Sequence, residues 1–309
     1  MRYWAAIAVY CAGSVWAQTI LKSELERFDS WIAEGNYEKA LAPLEALVAA
    51  HPELAEAQYQ LGYVYYRLHW IAQSVKALSA SLAINSRNAD AHRILGYDLT
   101  ILGRLDLAET EFRRAIELKP QSAESHYALG RVHYEKGSYA AAAAEFEQAL
   151  RINPSYGKAH ENLGLAYEAV NEIAQARAHF ETAVRLAESE PQPSPWPYIN
   201  FAGFQNRRGD YAAALQFARR ALAIAPRSDA ARFQSAKALR GLERWNECIQ
   251  ELQEAIAINS NNPEFFYTLA VAYRRLGQPD RARVSMEQFE KLKQWEATAP
   301  KSLPGGELE

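Results

Sequence analysis

Cysteine is almost missing from this chain of 309 residues, which holds only Cys11 and Cys248. Cys11 lies in an apolar N-terminal stretch, so a chain cut downstream of it keeps Cys248 alone and cannot form an internal disulfide. Charge of one sign is equally scarce. Lys and Arg number 34 against 37 Asp and Glu, a formal net charge of -3 that gives no bulk attraction for nucleic acid or an anionic membrane. Electrostatic recognition has to come from local segregation of charge. Also absent are a Gly-rich phosphate loop, a His-Glu-x-x-His, a Gly-x-Ser-x-Gly elbow and a cysteine pair with metal spacing. These absences argue against an enzyme and call for no cofactor and no metal. What is present is a 49% apolar content with ordinary Gly and Pro, enough to bury a substantial core and exclude disorder for most of the length.

Met1-Arg2, the apolar run from Tyr3 to Ala12 and the stretch Gly13-Ser14-Val15-Trp16-Ala17 predict a secretory signal peptide over 1–17, cut after Ala17. The run is too short to span a bilayer, which takes about twenty residues. Tyr10 precedes Cys11 where a lipidation site has a small residue, which argues against a lipid anchor. The expected location is periplasmic or secreted, with no stable membrane span after leader cleavage.

A 34-residue period organises the rest, with units starting at Leu21, Ala55, Ala89, Ala123, Gly157, Pro195, Asp229 and Pro263. One step is 38 residues because Pro191 to Ser194 are inserted. Position eight of the unit is small, as Gly62, Gly96, Gly130, Gly164, Ala202, Ala236 and Ala270, so a neighbouring helix can approach. Position twenty is small too, and Cys248 fills it as a compact, inert side chain. Large apolar residues such as Leu61, Leu95, Leu129 and Phe201 hold position seven. Gly35, Gly103, Gly137, Asn171, Gly209 and Gly277 hold position fifteen, where a left-handed residue ends a helix. Pro52, Pro120, Pro154 and Pro226 hold position thirty-two, where a helix cannot continue. Each unit reads as helix, turn, helix.

Leu129-Gly130, Gly137-Ser138-Tyr139, Ala142, Phe146, Ala149 and Asn153-Pro154 in the unit at Ala123 resemble the tetratricopeptide repeat, and the resemblance runs from about Leu21 to Glu296. It implies an all-α, right-handed superhelical solenoid of about eight helix-turn-helix repeats. Units one to five occupy 18–190, the Pro-rich insertion 191–194, units six to eight 195–296, and a disordered tail 297–309. The end units depart from the pattern, as capping units do: Arg27-Phe28 replaces Leu-Gly, and Leu47 and Phe289 stand where inner units carry Ala or Ser. The unit at Asp229 fits least well, with Ser235 and Glu243 at consensus positions.

The resemblance further implies a concave groove lined by the first helix of each unit at positions two, five, nine, twelve and thirteen. Five, nine and twelve share a helix face. In three successive units these offsets hold Tyr59, Tyr63, Tyr66, Arg93, Tyr97, Tyr127, Arg131 and Tyr134. Tyrosine covers large area at low entropic cost and keeps a hydroxyl, which suits a peptide or a glycan ring. The competing account packs the rings between helices, as is expected of Tyr65, Tyr167 and Tyr273. Arg207, Lys237, Arg240, Arg274 and Arg275 fall at groove offsets of the last three units, with no carboxylate at the matching positions nine, twelve and thirteen. They read either as a strip for an acidic segment or as a solvated face. Asn162 and Asn200 match asparagines that grip peptide backbone in some family members, while the family's carboxylate-clamp pattern is absent.

His92, His126 and His160 recur at position four, but equivalent helices lie about 10 Å apart, too far to share one metal ion whose bonds are about 2 Å. The sequence therefore predicts a non-catalytic scaffold that binds a protein or peptide partner in its groove. The alternative is an envelope glycan or polymer binder that uses the tyrosines. The interruption at Pro191 to Ser194 acts either as a static offset or as a hinge.

Overall fold

The computed structural model describes residues 21–298. The signal peptide expected at 1–17 lies outside them, as do residues 299–309 of the expected tail. All regular structure among the described residues is helical, in sixteen helices with no strand. Contacts divide the chain into two compact units, one ending at Lys136 and the other beginning at Gly137.

The first unit runs α1 (21–33), α2 (Tyr37–Ala50), α3 (Ala55–Arg67), α4 (Ile71–Ile84), α5 (Ala89–Ile101), α6 (Leu105–Leu118) and α7 (Ala123–Glu135). The second runs α8 (Tyr139–Ile152), α9 (Gly157–Ala169), α10 (Ile173–Glu188), α11 (Trp196–Arg208), α12 (Tyr211–Ile224), α13 (Asp229–Gly241), α14 (Trp245–Ile258), α15 (Pro263–Arg275) and α16 (Pro279–Thr298). Within each unit, helices adjacent in sequence pack against one another across short turns, and alternate helices such as α3 and α5, or α11 and α13, also touch.

The small residues of the repeat do what the sequence demands of them. A Cβ on Gly62 would sit 2.7 Å from Leu78, one on Gly96 2.7 Å from Phe112, and one on Gly164 3.0 Å from Phe180. Position eight of the first helix thus receives the side chain at position twenty-four of the second. The turns between paired helices are left-handed at Gly35, Gly103, Gly137, Gly209 and Gly277, and at Asn171. His69 and Glu243 take the same conformation at φ 60° and 58°, so the turn survives where the sequence offers no glycine. Asn88, Ser122, Ser228 and Asn262 cap first helices, each accepting a backbone N–H two or three residues on.

Position eleven also ties neighbouring pairs together. Tyr65 donates to Glu45 at 2.7 Å, Tyr167 donates to Glu147, and Tyr273 accepts from Gln253 at 3.3 Å, each 20 residues apart. These three tyrosines pack between helices as expected. Cys248 is fully buried and burial pushes its thiol up to about 11, which leaves it unreactive.

Two boundaries differ from the sequence reading. Pro195 is the N-cap of α11 rather than its first residue. Helix α16 continues through Thr298, whose hydroxyl donates to the Gln294 carbonyl, so helix extends into the segment expected to be a tail. The insertion at 191–194 lies within the second unit and is bridged from both sides. Asn200 donates to Glu161 at 2.7 Å, Arg207 pairs with Glu168, and Arg220 pairs with Glu188. These cross-links favour a static offset over a hinge.

Candidate functional site

In the first unit α3 and α5 place the predicted tyrosines on one face. Tyr37, Tyr63, Tyr66 and Tyr97 form a row that ends on Phe112, with successive ring centroids 6.4, 6.3, 6.1 and 5.2 Å apart. The Tyr66 and Tyr97 planes meet at 18°, so each covers a face of the other. Arg67 lies 4.6 Å over Tyr37 and donates to the Tyr63 hydroxyl at 3.1 Å. Arg93 donates to Asp90 at 2.8 Å and sits 6.0 Å from the Tyr97 ring. Burial pushes the Tyr59 and Tyr66 hydroxyls up to about 12, which keeps them protonated at physiological pH. Tyr127 is buried, Tyr134 half-buried, and Arg131 reaches Glu135 on its own helix at 3.5 Å. The tyrosines are thus partly buried packing elements with exposed edges.

Beneath this face lies Asp98, a fully buried carboxylate on α5. Ser74 donates to its Oδ2 at 2.5 Å, while Oδ1 has no hydrogen-bond partner among the described residues. Burial pushes Asp98 up to about 7 against the weaker opposing pull of the Ser74 hydrogen bond.

In the second unit the polar residues sort into satisfied and unsatisfied. Asn162 donates to the Lys158 carbonyl at 2.9 Å, and Asn200 is taken by Glu161. Burial, opposed by that amide, pushes Glu161 up to about 7. Arg207 forms a two-pronged pair with Glu168, at 2.7 and 2.5 Å, so its charge is met by a carboxylate from the preceding unit. Glu168 sits at position twelve and Glu161 at position five of the preceding unit, outside the last three units in which the strip was sought.

The remaining cations differ. Lys237 of α13 is mostly buried, with its ammonium 4.6 Å over the Phe233 ring, and makes no hydrogen bond or ion pair among the described residues. Burial pulls it down to about 8, with Arg207 and Arg240 adding repulsion and Glu264 a weaker attraction. Arg240 on the same helix and exposed Arg274 on α15 also lack an ion pair among the described residues. The sequence missed Arg67, Phe233, Glu161 and Glu168. All four occupy groove offsets of their units and would emerge if every offset were read, whatever its residue type.

Paired helices that stack through one recurring small-to-large register define an α-helical repeat protein, a class that presents one side of its first helices to other molecules. Sequence models of the TPR repeat match residues 96–137, 130–171 and 236–277, and models of the tetratricopeptide repeat match 25–69, 157–190, 195–220 and 264–292. The chain belongs to the tetratricopeptide repeat family.

An inactive TPR repeat-containing thioredoxin from Arabidopsis thaliana is 38% identical over 77 residues, 25% of this chain and 11% of that protein. The chain thus spans about a tenth of the length of that curated relative. Among solved structures, a tetratricopeptide repeat protein from Parabacteroides merdae superposes with a TM-score of 0.63 at 14% identity over 77% of this chain and 93% of that one. The Cut9-Hcn1 hetero-tetramer of the APC/C gives 0.67 at 19% identity over 79% and 48% of the two chains. These likenesses show the fold alone. The repeat fold is in general a non-catalytic scaffold, and a protein-interaction scaffold is the function class it supports.

Proposed function

We propose that this protein is a non-catalytic scaffold that holds an acidic segment of a partner protein against the first-helix face of its second unit. The observation that carries this reading is Lys237, a mostly buried ammonium held over Phe233 without an ion-pair partner among the described residues, under the added repulsion of Arg207 and Arg240. A desolvated cation with no counter-charge costs folding energy, and a carboxylate delivered by a ligand offsets that cost. The exposed edges of the tyrosine row in the first unit supply a second contact surface. Glycan stacking is disfavoured there, because Tyr66 and Tyr97 already cover each other.

The test is binding of a fluorescent Glu- and Asp-rich peptide against a charge-neutral peptide of equal length, at low and high salt. Preferential, salt-sensitive capture of the acidic peptide, lost in a Lys237→Met/Arg240→Ala variant, is the expected result. Equal capture of both peptides at both salt concentrations would remove the proposal. We further place the scaffold in the periplasm or outside the cell, on the sequence of residues 1–17 alone. Mass spectrometry of protein made in an exporting host should find Gln18 as the first residue.

A further inference from the structure

Position four of the unit turns out to be a bridging position. His92 contacts the Ser86 carbonyl through Nε2 at 3.2 Å and Glu111, at position twenty-three, through Nδ1 at 2.5 Å. Arg232 repeats this with the Pro226 carbonyl at 3.1 Å and Glu251 at 3.0 Å. The units at Ala89 and Asp229 thus set a nitrogen donor at position four against a carboxylate at position twenty-three. The unit at Gly157 differs from these two. His160 still reaches the Pro154 carbonyl through Nε2 at 3.1 Å, but position twenty-three is His179, whose Nδ1 lies 2.9 Å from His160 Nδ1.

A carbonyl is only an acceptor, so His160 carries its proton on Nε2 and leaves Nδ1 as a bare lone pair. In the free protein one proton on His179 Nδ1 bridges the two rings. Two nitrogens bound to one ion at about 2.0–2.1 Å lie roughly 2.9–3.4 Å apart across bond angles from square to tetrahedral. The pair already stands at that spacing. The carbonyl behind His160 is the outer partner that orients a metal-binding imidazole. His179 is held on its other side by the Tyr167 ring, stacked at 5.6 Å, whose hydroxyl donates to Glu147.

The two rings open onto a cleft of about 300 Å³, which Glu147 and Arg151 also line. Burial pulls both histidines below their usual range, opposed at His160 by the Pro154 hydrogen bond and aided there by the Arg185 charge. At His179 the His160 ring adds to the lowering and the Glu147 charge opposes it.

We propose that His160 and His179 form a two-imidazole site for a divalent first-row transition metal, with Cu²⁺ bound most tightly and water completing the shell. Imidazole nitrogen suits Cu²⁺, Ni²⁺ and Zn²⁺, and for a given nitrogen site affinity peaks at Cu²⁺. The site is independent of the basic face of α13 and α15, so either can fail without the other. The test uses the tag-free full chain titrated with Cu²⁺ and with Zn²⁺ by calorimetry, with electron paramagnetic resonance on the copper form. One equivalent of Cu²⁺ with two nitrogen ligands, and weaker Zn²⁺ binding, is expected.

His179→Glu should lose that equivalent while keeping the helical circular dichroism of the parent. If the single variant misfolds, His160→Arg/His179→Glu recreates the pair seen at Arg232 and Glu251 and serves in its place. No equivalent bound by the parent, or an unchanged two-nitrogen signal in the folded variant, overturns the proposal.

Discussion

Lys237 offers a test in which stability and binding move in opposite directions. Its ammonium is pulled from 10.5 to about 8, chiefly by burial, a displacement of about 2.5 pH units worth about 3 kcal/mol at 1.36 kcal/mol per unit. A folded-state value below the unfolded one means that the unfolded chain binds the proton more tightly. Stability is then at its lowest below about pH 8 and rises as the pH climbs through the interval between about 8 and 10.5. From pH 7 to pH 9.5 the gain from this one group is about 2 kcal/mol.

Replacing Lys237 with methionine keeps the apolar stem over Phe233 and removes the charge. The variant should be more stable than the parent by about 2–3 kcal/mol at pH 7, and the advantage should shrink by pH 9.5. Urea unfolding at both pH values, followed by circular dichroism, measures this. The same variant should lose the acidic peptide. A variant less stable than the parent at pH 7, or one whose advantage does not depend on pH, would refute the assignment of Lys237 as a cation held against the interest of the fold.

The remaining predictions concern the scaffold. Asp98 is displaced the other way, from 3.8 to about 7, so the folded state holds the proton more tightly and stability falls as pH rises from about 4 to 7. Asp98→Asn should match the parent near pH 4.5 and exceed it at pH 8 by up to about 4 kcal/mol, and equal unfolding midpoints at pH 8 would show the carboxylate is not strained. Glu243→Gly should raise stability by about 0.5–1 kcal/mol, the net of relieving a left-handed non-glycine residue and freeing the unfolded chain. A lower melting temperature would contradict the turn assignment. Gly96→Ala should cost about 1–3 kcal/mol because its Cβ would meet the Phe112 ring at 2.7 Å, and Gly96→Ala/Phe112→Leu should recover part of the loss. Additive losses in the double variant would exclude the register between positions eight and twenty-four.

Most of the scaffold was legible in the sequence because the demand for each small residue is local and recurs in step. Gly62 and Gly96 announce a close approach wherever they stand, and the structure adds only which side chain arrives, Leu78 or Phe112. The turn at Glu243 was not legible, since the sequence shows a residue that resists left-handed backbone and the packing on both sides overrides it. At the site, helical offsets placed the tyrosines and cations on first helices but could not say whether their charges were already spent. Arg207 and Lys237 are alike in sequence. They differ because Glu168 lies within reach of the first, while the nearest attraction for the second, from Glu264, forms no ion pair.

A repeat protein supplies its own control for such questions, because each position is occupied several times under nearly the same packing. Where a side chain is satisfied, as when Tyr65, Tyr167 and Tyr273 each bond a partner in the preceding helix pair, stability is sufficient reason for the residue. Where one copy departs from a pairing that other copies keep, the difference marks a position worth testing. His179 gives up the carboxylate that Glu111 and Glu251 provide at the same position, and Lys237 carries a charge into a place where it forms no ion pair among the described residues. A side chain that costs stability relative to its siblings is one that a function outside the fold can account for. That argument joins the two proposals: each site is the point at which this chain departs from its own repeat in charge rather than in shape, and each therefore asks for a charged ligand.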